Sequence, residues 1–239
     1  MKKFFYGLVE AIFSIRHYIA IGVMRLIPAQ PHPTPYTIFT WQIFFRDLKW
    51  RHIILGTIGV GCTMGLLNLF WDHMPLGQYS LLSSITTFVD FVVLKITGHK
   101  AQPILSYIII AILVAGKAPR LFPGNVVGKG VPFWAMREEM VFRFGAERWN
   151  PVQKFRSALA FGLIHFDNII YPLAACFAFL FSGLYLTAIY VHTYKKTGST
   201  YLALKESAIV HAVHNIIAFI IVGCILTYFL AQVVVILLN

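Results

Sequence analysis

The chain has 239 residues, of which 58% are hydrophobic and only 12% charged. A water-facing domain carries about 25% charged residues, so this composition excludes an ordinary soluble domain. The net charge of +11, from 20 Lys and Arg against 9 Asp and Glu, would point to nucleic acid in a soluble protein. Here the basic residues cluster at the ends of apolar runs, where they face lipid headgroups, and no nucleic-acid partner is expected.

Residues 1–35 form an N-terminal unit. Met1-Lys2-Lys3-Phe4 resembles the basic region of a signal peptide, but Glu10, Arg16 and His17 interrupt the apolar stretch after it, and no small-residue cleavage site ends that stretch. Residues 4–27 therefore read as an interfacial amphipathic helix or a first membrane segment. Pro28, Pro31, Pro33 and Pro35 then make a stiff linker.

The remainder, 36–239, reads as one membrane-embedded helical domain. A helix needs about 20 mostly apolar residues to cross ~30 Å of hydrocarbon. Runs 53–71, 81–96, 171–191 and 207–238 approach or exceed that, and 104–115 could span as part of a longer or tilted helix. None alternates every second residue as a transmembrane strand would. The expected fold is all-α: a polytopic transmembrane helical bundle of six to eight membrane helices. The final run, from Lys205 to Asn239, is long enough as one helix to protrude, to kink near Gly223 or to break in two.

Glycines and prolines make 117–132 a loop leading into a new helix, with Pro132 suited to its first turn. Four basic groups fall on one side if the spans alternate: Arg46/Lys49/Arg51, Lys95/Lys100, Arg148/Lys154/Arg156 and Lys195/Lys196/Lys205. That side is expected to be cytoplasmic; Lys117, Arg120 and Lys129 fall on the other. Cys62, Cys176 and Cys224 lie in apolar stretches without a disulfide or metal spacing and read as small packing residues.

Ionisable groups inside such a chain are costly and mark function or internal pairing. Glu138 and Glu139 stand side by side in Arg137-Glu138-Glu139-Met140-Val141-Phe142-Arg143. Glu139 and Arg143 are four apart and share a helix face. Glu138 is rotated about 100° away and is left free to accept a proton from water. The plain alternative is a structural Glu–Arg pair plus an interfacial acid. His165 comes one turn after Phe161, and Asp167 and Asn168 are candidate partners for it; a satisfied core histidine is the plain reading. His211 and Asn215 share a face, with His214 beside them. They suit either a developing oxyanion or a helix–helix contact. This topology puts Glu138 near the start of its helix on one side and His211 near the start of its helix on the other. Asp90, beside Lys95, reads as a membrane-edge ion pair.

Glu138-Glu139…Arg143, Phe161…His165 and His211…Asn215, in that order, resemble the three motifs of the CPBP family. This family, also called Abi, comprises CAAX proteases and bacteriocin-processing enzymes. The resemblance covers about residues 130–218. It implies an intramembrane protease acting on a peptide or lipidated protein substrate, in contact with membrane lipids. Glu138 would be the general base, His165 would hold the water, and His211 and Asn215 would stabilise the oxyanion. Glu139, Arg143 and Phe161 would support the site. A zinc variant would use Glu138, His165 and His211 as ligands, although no His-Glu-x-x-His motif occurs, and the metal-free glutamate mechanism is preferred. The alternatives are a non-catalytic relative, such as an immunity protein or scaffold, and a proton-coupled transporter. A bacterial cytoplasmic membrane is the expected setting, with the endoplasmic reticulum as the alternative.

Overall fold

The computed structural model describes residues 18–19, 21–28, 39–74, 130–165 and 173–238. The expected spans at 81–96 and 104–115, most of the 117–132 loop, Asp90, Asp167 and Asn168 lie outside the described residues, as does most of the N-terminal unit and its proline linker.

The described structure is all helical: α1 (Trp41–Asp47), α2 (Trp50–His73), α3 (Val131–Arg143), a 3-10 turn (Ala146–Arg148), α4 (Pro151–Ile164), α5 (Leu173–Thr197) and α6 (Thr200–Leu238). Further upstream, residues 21–24 are helical and place Val23 in the core beside Phe142, Phe161 and Val210. Three described helices are long and apolar enough to cross a membrane: Trp50–Trp71, Leu173–Thr197 and Thr200–Cys224. The helix count of the expected bundle is thus met only in part.

Two of the three helices that carry the motifs are shorter. The 13-residue α3 and 14-residue α4 rise only about 20 Å each, less than the hydrocarbon thickness. Local chemistry sets their starts. Pro132 sits in the first turn of α3, as expected. In α4, Asn150 Oδ1 accepts from Gln153 N at 2.9 Å, Gln153 Oε1 accepts from Asn150 N at 3.0 Å, and Pro151 comes next. This reciprocal cap satisfies two otherwise unpaired backbone donors.

Contacts give the directions. Arg51 meets Glu206 at 2.7 Å and Gly56 faces Val213, so α2 and α6 run parallel. Thr63 meets Ser182 at 2.6 Å and the Tyr185 hydroxyl donates to Leu55 O at 2.9 Å, so α5 runs the other way. Within lipid such interhelical bonds and close packing replace the hydrophobic drive, each bond contributing roughly 0.6–2 kcal/mol. Small residues allow the approach: a Cβ on Gly162 would strike Cys176 O, and one on Gly183 would lie 3.1 Å from Ala158 Cα.

One end of this bundle collects Arg46, Arg51, Lys205, Arg148 and the closing Lys195 and Lys196 of α5. Lys205 reaches Asp47 at 3.1 Å, and Glu147, next to Arg148, is tied to Tyr190 of α5. Three of the four basic groups anticipated on one side therefore share an end; Lys95 and Lys100 lie outside the described residues. α6 is one continuous 39-residue helix, neither broken nor split at Gly223. The Thr227 hydroxyl donates back to Gly223 O at 2.9 Å, a bond that can bend a helix without breaking it. Cys176 is buried packing, as anticipated, but Cys62 and Cys224 are exposed; both lie on outward faces of their helices.

Candidate functional site

The polar residues of α3 and α6 meet. Glu139 and Arg143 are fully buried, and their charges lie 3.0 Å apart, from Arg143 Nη1 to Glu139 Oε1. The same Oε1 is 2.9 Å from His211 Nδ1. The other oxygen, Oε2, accepts a short hydrogen bond from the Ser207 hydroxyl. Both oxygens of this carboxylate are thus held by α6, and Arg143 compensates the charge from one turn along α3.

Arg143 does this without well-aimed hydrogen bonds. Close as Nη1 is to Glu139, none of the guanidinium N–H groups points along an acceptor direction among the described residues. The attraction is Coulombic, and the guanidinium carbon also lies 4.1 Å from the centre of the Phe161 ring. That distance suits a cation–π contact in a dry setting.

Phe161 is the hub that joins the third motif. Its ring centre is 4.9 Å from that of His165, 5.6 Å from that of His211 and 5.3 Å from that of Phe142, all near edge-on. Ser157, one turn earlier on α4, donates to Phe142 O at 2.5 Å and pins α4 to α3. His165 closes α4: its Nδ1 is 2.6 Å from Phe161 O and its ring packs on Phe179 at 4.5 Å.

Glu138 points elsewhere, as the helical rotation requires. Its side chain keeps 38% exposure, against none for Glu139. Its Oε2 is 3.4 Å from His211 Nε2. His211 therefore stands between the two adjacent glutamates. With the Nδ1 hydrogen directed at Glu139, the Nε2 edge facing Glu138 needs a hydrogen too, from the imidazolium or from an intervening water.

The separation in depth implied by the expected topology does not occur. Glu138 lies past the midpoint of a 13-residue helix, and α6 begins at Thr200, well before His211. The C-terminal end of α3 lies toward Thr200, where Phe144 and Thr200 line one cavity. The depths match because both helices start earlier or end sooner than hydropathy alone indicates. Asn215 lies one turn beyond His211 on α6 and is half-buried. His214 is buried and its Nδ1 would sit 3.0 Å from a Cβ on Gly59, so it packs against α2.

Ser207 is the site residue that sequence reading passed over. Ser207, His211 and Asn215 form one stripe at a spacing of four, a signal that was available in the sequence.

The donors present bear on the zinc variant. His211 Nδ1 rests on a carboxylate and His165 Nδ1 on a backbone carbonyl, the outer partners that ligating histidines commonly have. Yet among the described residues no three His, Cys, Asp or Glu side chains are gathered as a metal site would require. Protein-family profiles, curated proteins and solved structures were all compared with the chain, and none matches.

Proposed function

We propose that this chain is an intramembrane endopeptidase of the CPBP type. It would hydrolyse a peptide bond in a membrane-associated peptide or lipidated protein, in a bacterial cytoplasmic membrane. The observation that carries the reading is the position of His211, 3.4 Å from Glu138 and 2.9 Å from Glu139. All three motif helices meet around that ring.

The chemistry rests on the unequal surroundings of the two glutamates. Glu138, partly exposed, takes a proton from water as the water oxygen bonds to the scissile carbonyl carbon. The carbonyl oxygen becomes an oxyanion, which the Nε2–H of a doubly protonated His211 and the Asn215 amide stabilise. Glu139 stabilises that imidazolium through Nδ1 and fixes the ring orientation, as a buried acid does behind a catalytic histidine. Glu138 then passes its proton to the departing amine nitrogen as the C–N bond breaks. His165, set by Phe161, helps to orient the water. Were zinc bound, Glu138, His165 and His211 would hold it, and it would ease deprotonation of the water.

The test is cleavage of a fluorogenic prenylated peptide and a panel of membrane-protein substrates by purified wild type, Glu138→Ala and Asn215→Ala, with and without a zinc chelator. Turnover by wild type that is lost in Glu138→Ala and kept in chelator supports the glutamate mechanism, and loss in chelator points to zinc. A folded wild type that cleaves nothing returns the site to the immunity, scaffold or proton-relay readings.

A further inference from the structure

The cavity that Phe144 and Thr200 line, of about 770 Å³, opens near the C-terminal end of α3, away from the glutamate–histidine cluster. Its lining includes Arg25, Arg148, Arg156, Trp149, Gln153 and Thr200. Thr200 opens α6, seven residues before Ser207, so the cavity is about 10 Å along the helix from the buried cluster. It also marks the depth. The apolar helices Leu173–Thr197 and Thr200–Cys224, each long enough to cross a membrane, meet here, which would put the cavity at the boundary between hydrocarbon and water.

The only acid among the described residues of the lining, Glu147, is already engaged. The Tyr190 hydroxyl donates to its Oε2 at 2.8 Å, and Arg148 Nε lies 3.5 Å from Oε1. Among the described residues neither Arg25 nor Arg156 has an ion-pair partner. The cavity is therefore left with an uncompensated positive charge.

Trp149 provides an independent observation. The residue is about nine-tenths buried, but its indole N–H, which meets no acceptor among the described residues, is not enclosed and stands open to the cavity. An indole N–H is a donor only, so at the cavity wall it can bond an acceptor that enters. That N–H lies beside Gly145, where a Cβ would be 3.8 Å from Nε1. The residue at this point has φ +84, a left-handed turn that glycine adopts without strain. An open donor and two guanidiniums with no ion-pair partner among the described residues thus face one space.

We propose that this cavity binds the phosphate-bearing headgroup of an anionic phospholipid. Guanidiniums recognise phosphate oxygens by paired hydrogen bonds, and the Trp149 N–H supplies a further donor. The lipid is favoured over a free phosphate ion by the size of the cavity, which suits a whole headgroup. The apolar Ile27, Pro28 and Phe144 on its wall and its place at the membrane boundary favour it as well. Basic pockets at the water-facing ends of membrane helices bind such headgroups. The proposal does not depend on proteolytic activity.

The test uses the purified full chain in mixed micelles of equimolar phosphatidylglycerol and phosphatidylcholine, with retained lipid counted by native mass spectrometry. Wild type should retain phosphatidylglycerol about tenfold over phosphatidylcholine. Arg25→Gln combined with Arg156→Gln should bring that ratio near one. Trp149→Phe, which keeps the ring and removes the N–H, should lower it about threefold. Lys195→Gln with Lys196→Gln removes the same charge from the same end of the bundle and should leave the ratio unchanged; circular dichroism verifies that each variant is folded. The proposal is overturned by an equal loss in the lysine variant or by no preference in wild type. It is also overturned if inorganic phosphate raises the melting temperature while phosphatidylglycerol is not retained.

Discussion

Glu139 Oε1 and His211 Nδ1 lie 2.9 Å apart, joining two helices whose residues are 72 positions distant in the chain. Around that contact a buried arginine, a serine hydroxyl and an aromatic edge leave the adjacent Glu138 as the only acid of the pair with access to water.

The two glutamates should separate on mutation. Glu139→Gln leaves the Arg143 guanidinium buried without its counter-charge, an arrangement that costs about 3–5 kcal/mol. Its melting temperature should fall sharply in thermal unfolding in detergent. Glu138→Gln should leave the melting temperature within about a degree or two, since the side chain is partly exposed. It should lower turnover by about 10²–10⁴. Equal destabilisation by both would contradict the division of labour proposed for them.

Ser207→Ala removes the hydroxyl that holds Glu139 Oε2. A buried carboxylate oxygen that loses its donor costs about 1–3 kcal/mol. The freed carboxylate should rotate and loosen its hold on His211, so kcat should fall about tenfold with KM little changed. Ser207→Thr, which keeps the hydroxyl, should recover part of that loss. Steady-state kinetics on the same substrate would decide, and an unchanged kcat in Ser207→Ala would remove Ser207 from the positioning role.

Gly162→Ala should be among the most damaging small substitutions. The added Cβ would meet Cys176 O, and Leu180 N at 2.9 Å, both backbone atoms of α5 that cannot swing aside. Overpacking of this kind costs about 1–3 kcal/mol. It also pushes α4 outward, with Phe161 and His165 on it. Gly61→Ala, where nothing lies within 4 Å, is the control and should be neutral or slightly stabilising. Melting temperatures of the two variants measure the difference.

Asp47 links α1 to α6 outside the apolar spans. Its hydrogen bonds from Arg46, at 3.0 and 3.2 Å, and from Lys205, at 3.1 Å, hold its pKa down to about 2 from an ordinary 3.8. A carboxyl with a depressed folded pKa contributes stability that is fully present above its unfolded value. That stability is lost as pH falls from about 3.8 through about 2. Thermal unfolding from pH 6 to pH 2 should therefore show a decline that Asp47→Asn lessens. At neutral pH the same variant should be less stable by at most about 1 kcal/mol, since the carboxylate is near the surface. A wild type and Asp47→Asn with parallel pH profiles would rule this linkage out.

Much of the fold was legible because lipid imposes a simple rule. Backbone groups must pair within each segment, so apolar length alone announces a helix. Runs 53–71 and 171–191 correspond to α2 and α5, and Pro132 correctly marked the first turn of α3. Charge spacing also carried over: Glu139 and Arg143, four apart, do form a pair. Less visible was the run that became α6. Hydropathy placed its apolar start at Ser207, while the polar Thr200-Tyr201-Leu202-Ala203-Leu204-Lys205-Glu206 segment is already helical. There Lys205 and Glu206 find Asp47 and Arg51 as partners, contacts that no local pattern announces.

The sequence by itself determined a helical chain with runs long and apolar enough to cross a membrane, and which few polar residues would be costly to bury without partners. Periodicity and transfer energy are local properties, readable residue by residue. Only the tertiary structure decided that His211 stands between Glu138 and Glu139, that Ser207 completes the hold on Glu139, and that Phe161 gathers three helices. Those relations depend on the direction and depth at which α3, α4 and α6 pack. Glycine contacts and interhelical hydrogen bonds set that packing between segments far apart in the chain.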